Sequence, residues 1–239
     1  MISRGDAATI VVIPAYNEEE TLPAVLAGLR RTRPDLDVVV VDDGSTDHTA
    51  AVARAADVPC VALPFNLGIG GALRAGYRFA AEAGYERAVQ FDADGQQRAD
   101  QIEPLLVALD EGADLVVGSR FLGGDYRVSR GRGLAMGTLR LGVRVLTGRR
   151  FSDTSSGFRA VRRPLLDVFA TDYPVDYMDS VETLVGVCRA GYRVHEVPTV
   201  MEERAGGLPS QRPLRLVYHY ARLLVSLAAA PRWTIPKPS

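Results

Sequence analysis

Two carboxylates one residue apart, Asp92 and Asp94, follow an apolar run, and the amide side chain of Gln96 comes two residues later. A buried strand that ends in this way delivers oxygen ligands to the edge of a sheet. Hard divalent cations bind such oxygens, and Mg²⁺ is usually held by one or two carboxylates together with substrate phosphates. The spacing therefore predicts a site for Mg²⁺ or Mn²⁺ at these three residues, although a polar turn after a strand would also explain them.

A second pair of carboxylates, Asp42 and Asp43, follows the four consecutive valines 38–41. Such a run is typical of a strand buried on both faces, where a charged group is costly unless something hydrogen-bonds to it. We expect Asp43 to accept a hydrogen bond from the base or the ribose of a nucleoside. The polar residues 45–47 are equally explained as turn and helix-capping residues.

Arginines are concentrated in one downstream segment. Eight arginines and one acidic residue, Asp125, occur between Arg120 and Arg150. This segment predicts a basic surface suited to an anionic acceptor or to anionic lipid headgroups. A solvated helix face over residues 131–147 would also account for it. Arg120 itself suits a phosphate or carboxylate, because its fork of donors matches planar oxygens.

The elements that must position these residues follow an α/β pattern. Short runs rich in Val and Ile alternate with longer helical patterns, which is typical of βαβ units and a mainly parallel, twisted sheet flanked by helices. Open sheets of this kind bind ligands at the carboxyl ends of their strands, where the polar residues fall. We predict strands near residues 9–13, 38–41, 60–63, 88–91, 115–117 and 193–198, and helices over about 21–31, 72–83, 131–147 and 214–230, with further helices ending near 56 and 190. Asn17 or Thr21 is expected to cap the first helix.

Composition indicates one soluble globular domain. The chain has 239 residues, of which 47% are hydrophobic and 24% charged, and its net charge of -1 gives no reason to expect a nucleic-acid partner. Cys60 and Cys188 lie far apart in apolar contexts, so we expect buried thiols rather than a disulfide framework or a metal site. The first residues contain no apolar segment of signal-peptide length, which favours a cytoplasmic protein.

The C-terminal segment carries an apolar stripe over residues 214–230 that is too short to span a bilayer. We expect it to pack on the domain or on a partner, or to lie on a membrane surface with Trp233 at the interface. The chain is therefore divided into a main domain, 1–213, and a helical extension, 214–239. The glycines that begin at Gly68 do not complete a dinucleotide fingerprint, which would need glycine at Leu73, and are expected to turn the chain close to a bound ligand.

Six polar or glycine-containing motifs occur in order along the chain. They are Val12-Ile13-Pro14-Ala15-Tyr16-Asn17-Glu18, Val41-Asp42-Asp43-Gly44-Ser45-Thr46-Asp47, Asn66-Leu67-Gly68-Ile69-Gly70, Phe91-Asp92-Ala93-Asp94-Gly95-Gln96, Gly118-Ser119-Arg120-Phe121 and Ser156-Gly157-Phe158-Arg159. Together these motifs resemble those of family 2 glycosyltransferases, in particular the polyprenyl-phosphate branch that includes dolichyl-phosphate mannose synthase. The resemblance covers residues 9–207 and implies a GT-A fold, a nucleotide-sugar donor, a divalent metal and inversion at the anomeric carbon.

The same resemblance assigns roles by position. Asp92, Asp94 and Gln96 fall on the metal and diphosphate positions, and Asp94 and Arg120 are expected to act in catalysis, Arg120 through the acceptor phosphate. Arg204 matches an arginine that reaches the donor diphosphate from a closing loop, although this loop lacks the family's lysine and gains a proline. The expected donor site consists of Pro14, Ala15, Tyr16, Glu18, Asp43, Gly68, Asp92, Ala93 and Arg204.

Several alternatives stay open at this level. A polyprenyl phosphate acceptor needs no general base, whereas a saccharide hydroxyl would need one; Glu182 is the first candidate, followed by Asp153 and Asp179. A sugar-1-phosphate nucleotidyltransferase and a non-catalytic nucleotide-sugar-binding protein are less favoured readings. A lipid acceptor would place the protein at the inner face of the membrane, through peripheral contact or a membrane-protein partner.

Overall fold

A computed structural model of the chain describes residues 8–123, 130–174, 179–202 and 235–238. The predictions for Arg204, for a helix over 214–230 and for a division near residue 213 lie outside these ranges. The described strands are β1 (Thr9–Ala15), β2 (Asp37–Asp42), β3 (Cys60–Ala62), β4 (Arg87–Gln90), β5 (Leu115–Ser119), β6 (Arg159–Arg162) and β7 (Val194–Pro198). The described helices are α1 (Leu22–Thr32), α2 (Thr49–Ala55), α3 (Ile69–Glu82), α4 (Ile102–Asp110), α5 (Arg130–Thr147), α6 (Leu165–Thr171) and α7 (Asp179–Ala190).

These strands form a single sheet in the order β3-β2-β1-β4-β6-β5-β7. Strand β6 is antiparallel to both of its neighbours, while the other strand pairs are parallel. The predicted mainly parallel α/β sheet is therefore confirmed. The prediction omits β6, because a four-residue segment with arginine at both ends cannot be distinguished from a loop by its pattern.

Helices cover both faces of the sheet, which explains why its central strands are continuous apolar runs. Every residue of β1 is buried. Ile10 and Val12 pack in a core shared with α3, α5, α6 and α7, whereas Val11 and Ile13 pack in a second core shared with α1, α2 and α4. Burying one such aliphatic side chain contributes about 1.5–3 kcal/mol, so the strand ends rest on a strongly stabilised framework.

Helix α1 confirms the predicted apolar face and corrects the predicted cap. Pro23 lies in its first turn, where no backbone N–H is lost, and Thr21 makes no side-chain cap hydrogen bond. Thr21 Oγ1 instead donates to Glu18 Oε2 (2.6 Å), and Asn17 Oδ1 accepts from the backbone N–H of Thr46 (2.8 Å). The polar residues before α1 therefore join loops to one another. The buried residues of the helix are Leu22, Val25, Leu26 and Leu29.

The two cysteines are less buried than predicted. Both Cys60 and Cys188 are free and only partly buried. Burial raises the pKa of the Cys188 thiol to about 11, an effect that nearby arginines only partly offset. The thiol therefore stays protonated at neutral pH and is a poor nucleophile.

Strand order places the polar strand ends together. From β1 the chain moves outward through β2 and β3, then returns to β4 on the other side of β1. The carboxyl ends of β1 and β4 thus flank the point where the strand order reverses, which is where open α/β sheets bind ligands. Because β6 is antiparallel, its amino end reaches the same edge.

Candidate active site

A cavity of about 450 Å³ opens at this edge. Its lining includes nine residues of the predicted site, namely Pro14, Ala15, Tyr16, Glu18, Asp43, Gly68, Asp92, Ala93 and Asp94. Asn66, Ile69, Ala72, Gln90, Ser155, Gly157 and Ser180 also line it. Among the predicted residues that the structure describes, Gln96, Arg120 and Glu182 are not part of the lining. The volume is within the usual range for small-molecule sites.

A larger cavity, of about 880 Å³, lies against α1, α2 and the amino ends of β1 and β2. Its lining is mainly apolar and contains neither Asp43 nor the Asp92 and Asp94 pair. Of these two cavities, size would favour the larger, whereas the residues predicted from the sequence line the smaller one.

Asp94 and Gln96 belong to a tight turn after β4. The backbone N–H of Gln96 donates to Asp94 Oδ1 (3.1 Å), and Gly95 between them adopts a φ of +77°. A positive φ is easily adopted by glycine. The side chain of Gln96 donates from Nε2 to the carbonyl of Glu202 (3.4 Å), so its predicted role as a metal ligand stays a prediction.

Asp92 is bound by a residue that the sequence motifs did not identify. Gln97 is buried, its Oε1 accepts from the backbone N–H of Asp92 (3.1 Å), and its Nε2 donates to Asp92 Oδ2 (2.6 Å). Gln90 Nε2 lies farther away, 3.5 Å from Asp92 Oδ1. A Cβ atom at Gly157 would lie 3.1 Å from Asp92 Oδ2, so the loop before β6 also approaches this carboxylate closely.

The oxygens at this wall suit a divalent cation that also binds substrate. Within the described ranges, no group of three or more His, Cys, Asp and Glu side chains is arranged to hold a metal. Asp92 and Asp94 nevertheless place two carboxylates on one wall of the cavity. Mg²⁺ is commonly bound by one or two carboxylates with phosphate and water completing its shell, so this donor set fits a shared site.

Asp43 lies at the end of β2, deep in the same cavity. Its Oδ1 accepts from the backbone N–H of Leu67 (2.8 Å). Burial raises the pKa of Asp43, and the backbone N–H groups of Leu67 and Gly68 counteract this only in part. Gly68 adopts a φ of +79° and starts α3 at Ile69, three residues earlier than predicted. Asp43 is thus a buried acceptor positioned by the loop that precedes α3.

The loops after β1 and β2 are joined by hydrogen bonds. The backbone N–H of Asn17 donates to Ser45 Oγ (3.0 Å), and that of Glu18 donates to Thr49 Oγ1 (2.9 Å). Asp47 Oδ1 accepts from the backbone N–H of Thr49 at the start of α2 (2.9 Å). The interpretation of residues 45–47 as turn and capping residues is therefore supported for Asp47.

Arg120 forms a buried ion pair with Asp153. Arg120 Nε donates to Asp153 Oδ2 (2.7 Å), and its Nη2 donates to Asp153 Oδ1 (2.9 Å) and to Ser155 Oγ (3.1 Å). Burial alone would raise the pKa of Asp153, but the hydrogen bonds and charge of Arg120 lower it below its usual value. At neutral pH Asp153 is consequently an anion and a poor general base. Glu196 accepts from its backbone N–H (2.8 Å).

The other candidate bases lie on α7. Glu182 is buried there, two residues after Ser180 of the cavity lining. Only the backbone of Asp179 is described, as the first residue of the helix. A role for Glu182 as a base stays a prediction.

Helix α5 presents a mixed apolar and basic surface. Leu141 is 60% exposed and Val145 is 75% exposed, with the exposed Arg144 between them. Arg140 instead stacks its guanidinium over the ring of Phe121 at 4.5 Å. Among the described helices, none combines the length and the hydropathy needed to cross a bilayer.

Comparisons with known proteins agree with this arrangement. The profile of the family described as Glycosyl transferase family 2 matches residues 10–169. An undecaprenyl-phosphate mannosyltransferase from Micrococcus luteus is 37% identical over 207 residues, which cover 83% of this chain and 85% of that protein. A polyprenol monophosphomannose synthase from Mycolicibacterium smegmatis is 36% identical over 214 residues, covering 84% of this chain and 79% of that protein.

Among solved structures, this chain is similar to glucosyl-3-phosphoglycerate synthase from Mycobacterium tuberculosis, crystallised with Mn²⁺, UDP and glucosyl-3-phosphoglycerate. The TM-score is 0.72 at 24% identity, with 95% of this chain and 80% of that chain covered. This likeness confirms the predicted GT-A fold. From the family profile and from relatives above 30% identity over most of both chains, we conclude that this chain belongs to glycosyl transferase family 2 and is a glycosyltransferase.

Proposed function

We propose that the protein transfers a hexose from a UDP- or GDP-linked sugar to a polyprenyl phosphate. The observation that carries this proposal is one cavity with a buried acceptor, Asp43, at the end of β2 and two carboxylates, Asp92 and Asp94, after β4. Such a cavity suits a nucleoside at one end and a diphosphate with its cation at the other. The names of the Micrococcus luteus and Mycolicibacterium smegmatis relatives support a polyprenyl acceptor.

In the proposed mechanism, the protein positions reactants and supplies electrostatic stabilisation. Asp92, Asp94 and Gln96 would hold Mg²⁺ or Mn²⁺, which when bound neutralises charge on the diphosphate leaving group. Asp43 would orient the nucleoside, so that the anomeric carbon faces the acceptor. Attack of the acceptor on the anomeric carbon, from the face opposite the diphosphate, would invert the configuration at that carbon. A phosphate acceptor is already ionised near neutral pH and needs no general base.

Two arginines are assigned to phosphates in this proposal. Arg120 contacts Ser155, which lines the cavity, so its guanidinium lies beside the space where an acceptor phosphate would enter. Arg204, outside the described residues, keeps its predicted contact with the donor diphosphate. Guanidinium groups bind phosphate oxygens through paired donors, which suits the assignment of Arg204. The Nε and Nη2 donors of Arg120 already bind Asp153, so the assignment of Arg120 is supported by its position beside Ser155.

Activity should be tested with UDP- and GDP-sugars and Mn²⁺ or Mg²⁺, with and without polyprenyl phosphate. We expect release of nucleoside diphosphate and a lipid-linked sugar, both abolished by EDTA and restored by Mn²⁺. Asp94→Asn should lower the rate about 10²–10³-fold, the size of losing one transition-state contact. Asp100→Asn is the control, because Asp100 follows in the same loop but pairs with Arg98 on the surface. Transfer without any divalent cation would contradict the proposal.

One substitution distinguishes a saccharide acceptor from a phosphate acceptor. If a sugar hydroxyl were the acceptor, Glu182→Gln would remove the general base and lower the rate about 10²–10⁴-fold. With a phosphate acceptor, Glu182→Gln should keep most of the transfer rate. The same assay therefore distinguishes the two acceptor classes.

We also propose that α5 contacts an anionic membrane surface. Leu141 and Val145 are exposed aliphatic residues one helical turn apart, and Arg144 lies between them. Aliphatic insertion together with basic attraction is the pattern of interfacial helices. Val145→Asp should reduce co-sedimentation with phosphatidylglycerol vesicles, whereas Val107→Asp, an exposed valine on α4, should not. Equal vesicle binding by both variants and the wild type would contradict this contact.

A further inference from the structure

Gln97 binds the backbone and the side chain of one residue, Asp92, at the same time. Its Oε1 accepts the backbone N–H of Asp92, and its Nε2 donates to Asp92 Oδ2. Only 6% of Gln97 is exposed, so water does not compete effectively for either hydrogen bond. These two hydrogen bonds therefore fix the direction in which the Asp92 carboxylate points.

The orientation of this amide follows from chemistry. A backbone N–H can only donate and an ionised carboxylate can only accept, so Nε2 must face Asp92 Oδ2. The reverse orientation would set two oxygens against each other and lose both hydrogen bonds. The bond to the carboxylate, 2.6 Å long, is of the short, charge-assisted kind.

The backbone of Gln97 is itself anchored. Gln97 forms an antiparallel bridge with Met201, and the backbone N–H of Glu202 donates to the carbonyl of Gln96 (2.9 Å). A Cβ atom at Gly157 would lie 3.1 Å from Asp92 Oδ2, so the absence of a side chain there leaves room for the carboxylate. Two segments of the chain therefore approach Asp92 closely, and Gln97 supplies the donor.

We infer that Gln97 is a positioning residue that holds the Asp92 carboxylate in the orientation needed for the divalent cation and the donor diphosphate. This inference rests on the proposed function. A neutral amide orients a carboxylate without cancelling its charge, whereas a cation at the same place would compete with the metal. Replacing a residue that hydrogen-bonds to a metal ligand, without itself binding the metal, typically lowers metal affinity about 10–100-fold.

The test measures binding of Mn²⁺ with UDP or GDP by electron paramagnetic resonance, without any acceptor. We expect Gln97→Leu to weaken Mn²⁺ binding about 10–100-fold. Gln97→Met keeps the length of the side chain but supplies no donor, and should weaken binding to a similar degree. The control is Gln101→Leu, because Gln101 Oε1 accepts from the backbone N–H of Val200 (3.2 Å) and no hydrogen bond in the described part of the chain joins Gln101 to Asp92.

The outcomes separate this inference from the proposed function. Wild-type affinity in folded Gln97→Met, verified by its thermal transition, would overturn the positioning role and leave the proposed function intact. Absence of Mn²⁺ and nucleotide binding in the wild type would overturn the proposed function itself. Weakened binding in both Gln97 variants and unchanged binding in Gln101→Leu would support the role.

Discussion

Replacing Asp153 by Asn tests whether the buried ion pair with Arg120 stabilises the fold. The Asp153 side chain is fully buried and that of Arg120 is 15% exposed. The carboxylate accepts from two guanidinium nitrogens and from the backbone N–H groups of Arg120 and Ser155. Asparagine preserves the volume but leaves Arg120 without its counter-charge and turns an N–H group toward existing donors.

The expected destabilisation follows from these contacts. Removing one partner of a buried ion pair costs about 3–5 kcal/mol. We expect about 3 kcal/mol, the lower end, because asparagine retains one acceptor oxygen and Arg120 reaches some solvent. For a chain of this length each kcal/mol shifts the Tm by about 2–4 °C, so the predicted loss is about 6–12 °C.

Thermal unfolding followed by circular dichroism provides the measurement, with Asp35→Asn as a matched control. Asp35 accepts from Arg33 in the same two-point geometry, but its side chain is 57% exposed. An exposed pair of this kind contributes about 0–1 kcal/mol. Similar shifts for Asp153→Asn and Asp35→Asn would refute the reasoning, because burial is the difference between the two pairs.

Three further measurements probe the same framework. Arg120 lowers the pKa of Asp153 below its usual 3.8, so the ion pair should contribute its full stability above about pH 5 and lose it as the pH falls through the lowered pKa. The difference in Tm between the wild type and Asp153→Asn should therefore disappear in acid. Burial raises the pKa of Asp43, so its charged form lowers the stability of the fold at a pH above that pKa. Asp43→Asn should therefore raise the Tm at neutral pH. The same substitution should weaken nucleotide binding, measured by calorimetry, about tenfold or more. Gly76→Ala places a Cβ 2.2 Å from Val12 Cγ1 and should lower stability by about 1–3 kcal/mol in urea unfolding, whereas Gly28→Ala, with open space in α1, should raise it by about 0.5–1 kcal/mol.

The sequence predicted the position of the site better than its internal contacts. Apolar runs ending in Asp43 and Asp92 were sufficient to place both at one sheet edge, because parallel strands carry their carboxyl ends together. The sequence alone does not show which residues of distant loops contact each other, and Asp153 lies 33 residues after Arg120. Its function as the counter-ion of Arg120, rather than as a base, therefore required the structure.

The glutamines after Asp94 show a second limit. The motif directed attention to Gln96, yet the buried residue that contacts Asp92 is Gln97. The turn at Gly95, with its positive φ, breaks the alternation that would otherwise predict which neighbour faces inward. Similarly, β6 is too short for its pattern to reveal a strand, although the loop that leads into it supplies Gly157 to the cavity.

The carboxylates in and beside the cavity have three kinds of partner, and these partners bear on where we expect a cation to bind. Asp153 is paired with Arg120, so its charge is cancelled inside the protein. Asp43 is buried against backbone N–H groups and its pKa is raised, which suits accepting a hydrogen bond more than binding a metal. Asp92 accepts from the neutral amide of Gln97 and Asp94 from a backbone N–H, and both residues line the cavity. The wall after β4 is therefore where we expect a divalent cation and a diphosphate to bind.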